Sequence, residues 1–502
     1  MWTVLSAGFS TTGPSAWNVE NSRSTTSGGG TTLIRRTKIV ATLGPATGTP
    51  DGIAGLIGAG ANVIRVNASH GTPEMRAGWI AEVRRAAEAA DVAVAVLVDL
   101  QGPRIRVGNL PTPRVLRTGE TVVFAPEDLA RDDELPTTYA DLAADVRPGA
   151  RVLLDDGLLS LEVTRIAAPR VEGRVVDGGT LTAHKGMNLP GLHVSAPALT
   201  EKDREDAAHA VAAGTDFLAL SFVRRAEDMG ELRALVPPEV KLIAKIEKAT
   251  ALDDLGRILE ASDAVMVARG DLGVELPFEE VPVVQKRLIR EASRYGKPVI
   301  TATQMLESMV HNPRPTRAEA SDVANAILDG TDAVMLSAET AVGKYPFESV
   351  RAMDRIIREM ERQGPVPGVG SRDERRLAPG ETVSVEDAIA IGTSAVARML
   401  RTPLIVTLTS GGFTSRKVAA LRTPVPILAV TTQAATYRQL ALVWGVTPVL
   451  VDRVPGYDAM LAVVRDLILK RGYARAGDRI VMTAGLPWEV SGTTNLLKVE
   501  VV

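Results

Sequence analysis

Short apolar, β-branched runs alternate with longer amphipathic segments along most of this chain. The runs are Lys38–Leu43, Asn62–Asn67, Val94–Leu100, Asp216–Val223, Lys241–Glu247, Ala264–Arg269, Pro298–Gln304 and Ala333–Glu339. Between them lie helical patterns such as Pro73–Ala90, Glu201–Ala213 and Val281–Tyr295. Strands that read as continuous apolar runs, separated by helices, signal α/β units and a parallel sheet. Eight such units predict a (β/α)8 barrel of the TIM type. An open doubly wound sheet is the alternative, and eight strands is large for it.

The spacing breaks once. The third and fourth runs begin at residues 94 and 216, far more than one crossover needs. The excess, about residues 107–195, carries the short alternating runs Val115–Leu116, Thr121–Phe124, Arg151–Leu154, Leu159–Thr164 and Arg170–Val176, punctuated by Gly and Pro. This predicts a small β-barrel domain hung on a βα loop, the catalytic face of a barrel, where it would act as a lid. The barrel itself is then expected over 33–106 and 196–362. A Pro/Gly-rich, then charged, linker follows at 363–380. A C-terminal α/β domain is expected over 381–502, with a helix near Val385–Leu400 and strands at Leu404–Leu408, Pro426–Val430, Pro448–Val451 and Arg479–Met482. Residues 1–32 are rich in Ser, Thr and Gly and lack the basic start and apolar core of a secretory signal, which reads as a disordered leader.

Composition narrows the partners. Fifty-seven Lys and Arg against 60 Asp and Glu leave a net charge of −3 in 502 residues, so no general pull towards nucleic acid or an anionic membrane is expected. No run approaches the roughly 18 apolar residues of a membrane-spanning helix. The chain has no Cys, which excludes disulfides, thiolate-bound zinc and iron–sulfur clusters and fits a cytoplasmic protein.

Polar residues gather where the strands end. The second strand runs into Arg65-Val66-Asn67-Ala68-Ser69-His70-Gly71, and the third into Asp99-Leu100-Gln101-Gly102-Pro103-Arg104-Ile105-Arg106. The fourth supplies Ser221, the fifth Lys245 and Glu247, and the sixth Ala268-Arg269-Gly270-Asp271. The seventh supplies Thr303-Gln304 and the eighth Ser337-Ala338-Glu339-Thr340. Catalytic residues of such barrels sit at these C-terminal strand ends, so seven polar ends in register predict one pocket. Lys245 and Glu247, two apart, share a face. Glu247 and Asp271 would give a divalent ion two oxygens, a set suited to Mg²⁺ with water and substrate phosphate completing the shell. Lys245 and Arg65 bring positive charge without a nucleophile. Cations plus Mg²⁺ and no covalent nucleophile suit phosphoryl transfer, which is mostly positioning and charge stabilisation. Gly270-Asp271-Leu272-Gly273 is expected to open a short helix whose free N–H groups face a substrate carboxylate.

Longer motifs carry a resemblance. TKIVATLGPAT (37–47), NVIRVNASHG (62–71), DLQGPRIRVG (99–108), HKGMNLPG (184–191), SDAVMVARGDLGVELP (262–277), ATQMLESM (302–309) and PRPTRAEASDVANAILDG (313–330), with MLSAET (335–340), resemble pyruvate kinases from Arg36 to the C-terminus. The resemblance implies Mg²⁺-dependent (or Mn²⁺-dependent) transfer of phosphate from phosphoenolpyruvate to ADP, giving pyruvate and ATP. It implies Lys245 as the lysine that stabilises the moving phosphoryl group and Arg65 as the phosphate-binding arginine. Glu247 and Asp271 become the Mg²⁺ carboxylates. Gly270, Asp271 and Thr303 form the carboxylate pocket, with Ala268, Arg269 and Ser221 alongside. Asn67, His70, Arg106 and Lys185 fall on the nucleotide side, Lys185 being brought in by the lid. Thr303, or water near Ser337 and Glu339, would protonate the enolate. The resemblance also implies a homotetramer.

One departure bears on a monovalent cation. The family often holds K⁺ at positions matching Asn67, Ser69, Asp99 and a backbone oxygen at Leu100, and its potassium-dependent members have glutamate where this chain has Arg104. Two unit charges about 4 Å apart interact by about 4 kcal/mol at an effective dielectric of 20, so a guanidinium there would compete with K⁺. Activity without K⁺ is therefore expected, and Gln101, where many members have lysine, fits that pattern. In the C-terminal domain, the loop Thr409-Ser410-Gly411-Gly412-Phe413-Thr414-Ser415 lies between a strand and a helix and would cradle a phosphorylated effector through backbone N–H groups. It has no basic residue before Arg416, which argues against a bisphosphate activator and leaves a smaller phosphorylated effector, or none. Two other readings stand beside the kinase. A barrel lyase acting on the same metabolites would not need Lys185 or the nucleotide-side residues. A silent paralogue would not need the intact charged groups.

Overall fold

In the computed structural model, which describes residues 35–363, 382–485 and 494–502, each of the eight runs is a barrel strand. They are β1 (Lys38–Thr42), β2 (Val63–Asn67), β3 (Ala95–Asp99), β4 (Phe217–Leu220), β5 (Lys241–Ile246), β6 (Ala264–Ala268), β7 (Val299–Ala302) and β8 (Ala333–Leu336). Every neighbour pair is parallel, and β8 closes on β1 with Lys38 opposite Ala333. The expected leader and nearly all of the expected linker lie outside the described residues.

Strand residues alternate between two cores. Val40, Leu97, Ile243, Met266 and Ile300 fill the barrel interior, while Ile39, Ile64, Val96, Leu242 and Val265 pack outward under the helices. Local signals set where those helices begin. Thr72 caps Pro73–Ala89 by accepting from the Met75 amide, with Pro at its first position. Thr200 with Asp203, and Thr316 with Glu319, form capping boxes for Glu201–Ala212 and Arg317–Asp329.

The excess residues after β3 fold into a six-stranded sheet with its own core around Phe124, Val152, Leu161 and Val171. Its strands, in spatial order, are Met187–Asn188, Arg151–Leu154, Leu159–Ala167, Arg170–Asp177, Thr121–Pro126 and Leu135–Thr137. A two-stranded sheet, Gly179–Leu181 with Arg114–Leu116, completes the insert. The outgoing and returning chains pair at its neck, where Val107 donates to the Lys185 carbonyl and Met187 to that of Ile105, both at 2.9 Å. Three short strands of this insert (135–137, 179–181 and 187–188) are not among the expected runs.

The C-terminal sheet has five strands, in the order Val446–Leu450, Ile427–Thr431, Ile405–Leu408, Arg479–Ala484 and Leu496–Val501. The last is antiparallel and unexpected. This segment is keyed into the N-terminal end of the barrel. Ala441 and Leu442 join the interior core beneath Phe217 and Met335. Asp216, just before β4, accepts from Arg84 and Arg438 at 2.7 Å each, and Asp332, just before β8, pairs with Arg422 at 2.9 Å. Lys38 Nζ, buried, donates to the Val446 carbonyl at 2.8 Å. Among the described residues no helix is long and apolar enough to cross a membrane.

Candidate functional site

The C-terminal strand ends bring a charged network together at the opposite end of the barrel. Asp99, at the tip of β3, is buried and meets Arg65 from β2 at 2.7 Å and Lys245 from β5 at 3.3 Å. Lys245 Nζ also lies 2.8 Å from Glu247 and donates to Ser221 Oγ at 2.7 Å. Ser221 in turn donates to the Leu100 carbonyl at 2.7 Å, and Arg65 reaches Thr42 Oγ1 at 3.2 Å. Five strand ends thus hold two cations and two carboxylates in fixed positions.

The burial of these groups sets their charge. Burial raises the Asp99 carboxyl, but Lys245 and Arg65 outweigh it and hold the group below its ordinary value. Burial works against the Lys245 ammonium, yet Asp99 and Glu247 overcome it and raise its pKa. Glu247 is pushed up to about 7, first by burial and then by the nearby Asp271 carboxylate, with Lys245 opposing. A carboxyl whose pKa is raised by burial and by a neighbouring carboxylate marks a natural place for a cation. Asp271 has no hydrogen bond or ion pair among the described residues and lines the cleft, while Glu247 accepts only from Lys245 and the Phe222 amide. This oxygen pair fits a Mg²⁺ ion that takes its remaining ligands from water and substrate. No group of three or more His, Cys, Asp or Glu side chains that could hold a metal ion is gathered among the described residues.

Beside this pair, Thr303 ends β7 with a left-handed backbone, φ 71°. Its Oγ1 accepts from the Gly270 amide at 2.7 Å and donates to the Ala302 carbonyl at 2.6 Å. Gly270 and Asp271 lie in the first turn of the short helix Arg269–Glu275, which follows β6 at Ala268 as expected. The Arg269 guanidinium is turned away, bonded to Asp322 and to the Thr303 carbonyl, both at 2.7 Å. It ties a helix to the pocket wall and brings no charge into the pocket. Glu339 is buried and accepts from the Leu306 and Ser337 amides, while the buried Ser337 Oγ has no partner among the described residues.

A cavity of about 420 Å³ opens between this wall and the insert. Arg104, Arg106 and Lys185 line it, together with Arg224 and Lys248. Lys185 is paired with Asp155 at 2.7 Å, a contact that raises its pKa. Neither Arg104 nor Arg106 has a side-chain partner among the described residues, and Arg104 is exposed. Arg104 therefore makes no hydrogen bond or ion pair with Asp99, Asn67 or Ser69. Asn67 Oδ1 accepts from the Ser69 amide at 3.0 Å, Ser69 Oγ is buried without a partner among the described residues, and His70 is exposed. Sequence reading did not single out Asp155, Phe222, Arg224 or Lys248. Lys248 is held by Glu275, and no periodicity marks such residues.

The C-terminal loop lies between the strand Ile405–Leu408 and the helix Phe413–Ala420. Gly412 takes φ 77°, a left-handed conformation that suits glycine. The Thr414 and Ser415 hydroxyls pair at 2.7 Å with Thr494 and Thr407, turned into the protein. The Ser410 carbonyl accepts from Thr436 and that of Gly411 from Arg416, while the Thr409 amide donates to Val430.

Fold and site together define a (β/α)8-barrel protein with a cation-rich pocket at its C-terminal strand ends. Residues 34–350 match the barrel domain of pyruvate kinase, and residues 387–500 match that family's α/β domain. The pyruvate kinase of Geobacillus stearothermophilus is 46% identical over 480 residues, covering 94% of this chain and 81% of its own length. Pyruvate kinase 2 of Synechocystis sp. is 45% identical over 479 residues, covering 94% of this chain and 80% of its own. The pyruvate kinase of Staphylococcus aureus is 43% identical, covering 93% and 81%. The chain belongs to the pyruvate kinase family, a family of phosphotransferases that generally uses Mg²⁺.

Proposed function

We propose that the strand-end network moves a phosphoryl group from phosphoenolpyruvate to ADP with the following division of labour. Arg65 and Lys245 hold the phosphoryl oxygens, and Asp99 fixes the direction of both cations. The substrate carboxylate lies against Gly270, Asp271 and Thr303, beside Ala268. Glu247 and Asp271 hold Mg²⁺ or Mn²⁺, which when bound supplies Lewis-acid stabilisation of substrate oxygens. A β-phosphate oxygen of ADP attacks phosphorus, the bond to the enol oxygen breaks, and its electron pair stays on the enolate. Lys245 faces the charge that spreads over the transferring group. A proton from Thr303, or from water held by Ser337 and Glu339, then reaches carbon and gives pyruvate. Asn67, His70, Arg106 and Lys185 serve the nucleotide, and Lys185 exchanges Asp155 for a phosphate as the insert closes like a lid. The observation that carries this reading is Lys245 held at once by Asp99, Glu247 and Ser221.

The reading extends to three further points. Turnover does not need K⁺. Supporting this, Asp99 already carries two protein cations, and Arg104 lines the cleft from which its guanidinium would move towards Asn67, Ser69 and the Leu100 carbonyl. The enzyme is a cytoplasmic homotetramer, in keeping with the exposed apolar Phe278 and Met399. Any phosphorylated effector at Thr409–Ser415 is held by backbone N–H groups rather than hydroxyls. The test is pyruvate formation from phosphoenolpyruvate, ADP and Mg²⁺ in buffer free of Na⁺ and K⁺, repeated with K⁺ added. Near-maximal activity in the first condition supports both parts. Activity only with K⁺ keeps the roles of Lys245 and Arg65 and discards that of Arg104. No activity in either condition, from folded protein, overturns the assignment.

A further inference from the structure

Asn67 ends β2, Ser69 and His70 follow in the loop beyond it, and the carbonyls of that loop are gripped from behind. Arg76, on the helix Pro73–Ala89, is buried, and its Nη1 donates to three carbonyls of that one loop. These are Ala68 at 3.3 Å, His70 at 3.2 Å and Gly71 at 3.0 Å. The other arm of the fork is paired with Asp206, itself buried on the helix Glu201–Ala212. One turn away, Lys202 donates to the same Ala68 carbonyl at 2.9 Å and also pairs with Asp206. On the other side, the Ala68 amide donates to the Asp99 carbonyl at 2.9 Å. The loop turns sharply, with Gly71 at φ 71°.

Burying a guanidinium is costly unless its charge and its donors are satisfied. Here the charge is met by Asp206, and the donors are spent on the backbone of the loop, which Lys202 anchors to a second helix. We infer that Arg76 is a positioning residue for nucleotide binding: held by Asp206 and assisted by Lys202, it draws the loop carbonyls towards the helices and so fixes Asn67 and His70 on the cleft side. It touches no substrate. The inference rests on the proposal that Asn67 and His70 serve the nucleotide. Most of the phosphoenolpyruvate pocket lies on β5 to β7, and Arg65, its one group on β2, is held by Asp99 and Thr42 rather than by the clamp. A loosened loop therefore changes nucleotide binding more than phosphoenolpyruvate binding.

The test is Arg76→Lys, with KM for ADP and for phosphoenolpyruvate measured separately beside kcat and the thermal midpoint. A lysine keeps the charge, but one ammonium does not reproduce a planar fork that pairs with Asp206 through one arm while the other serves three carbonyls. Loss of one or two such hydrogen bonds predicts a rise of about 5–10-fold in KM for ADP. KM for phosphoenolpyruvate should stay within about two-fold, because Arg65 is fixed by Asp99 and Thr42 and the rest of its pocket lies on other strands. Lys202→Met, at the half-exposed end of the clamp, should shift KM for ADP in the same direction by a smaller factor, and it keeps the inference testable if Arg76→Lys does not fold. Asn67→Ala is the reference. If it raises KM for ADP while Arg76→Lys and Lys202→Met do not, this inference alone falls. An equal rise in both KM values, or a lowered thermal midpoint with unchanged KM values, also overturns it, leaving Arg76 a structural residue. If Asn67→Ala leaves KM for ADP unchanged, the nucleotide assignment falls and this inference with it.

Discussion

Lys245→Met isolates the charge at the centre of the site. Methionine matches the lysine stem in length and flexibility, so packing changes little and the ammonium is what disappears. At about 3 Å and an effective dielectric of 20, a full unit charge pair is worth about 5.5 kcal/mol. The phosphoryl group is already anionic before transfer, so only the part of that energy that grows towards the transition state accelerates the reaction. Removal of single preorganised contacts of this type costs about 10²–10³-fold, or about 2.7–4 kcal/mol, which lies below the full pair as it should. The expected result is a fall in kcat of at least that factor. The substitution also leaves Asp99 with Arg65 and a long contact to Ser221, and Glu247 with the Phe222 amide, so a thermal melt must accompany the kinetics. The assay is pyruvate formation at saturating phosphoenolpyruvate, ADP and Mg²⁺. Turnover within about three-fold of the parent would refute the reasoning. So would a loss carried wholly by KM with kcat intact, because that pattern marks binding that is uniform between ground and transition states.

Other expectations follow from the same geometry. Chelation of divalent ions should abolish turnover reversibly, and Glu247→Gln should raise the Mg²⁺ concentration needed for half-maximal activity at least ten-fold; an unchanged Mg²⁺ requirement would place the ion elsewhere. Leu442→Ala hollows the plug at the N-terminal end of the barrel, where Leu442 is fully buried, and should cost about 2–5 kcal/mol, read as a lower urea midpoint with unchanged slope. Burial, with Arg35 adding to it and Glu361 and Asp332 opposing, lowers the Lys38 amine from 10.5 to about 7. The folded state therefore gives up that proton before the unfolded chain does, and the penalty of the buried charge, complete below pH 7, fades as pH rises towards 10.5. Lys38→Met should thus be stabilised relative to the parent at pH 6, with that advantage shrinking steadily as pH rises from about 7 towards 10.5. Melting curves that differ by a pH-independent amount would contradict the sign.

What was legible in the sequence follows from how each part is buried. The barrel strands are covered on both faces, so each is a continuous apolar run, and all eight stand within a few residues of the expected positions. The unexpected strands are short or sit at an edge. Leu135–Thr137 contains a proline, Met187–Asn188 is two residues long, and Leu496–Val501 is half exposed at the margin of its sheet. Such strands exist because a neighbour offers hydrogen bonds, and the neighbour is not a property of the local pattern. The site divides the same way. That polar groups would converge was readable from strand ends, because a barrel has one catalytic face. Which groups would grip one another was not. Arg269 carries the same charge as Arg65 and also ends a strand, yet it spends its donors on Asp322 and a carbonyl, while Arg65 meets Asp99. Arg76 lies on a helix rather than at a strand end, and nothing in its spacing separates it from the exposed Arg85 nine residues on. The difference is made by Asp206, 130 residues away and buried on the adjoining helix. A buried arginine thus acquires its role from the long-range carboxylate that makes its burial tolerable, and that carboxylate has to be located in space before the arginine can be told from a solvated one.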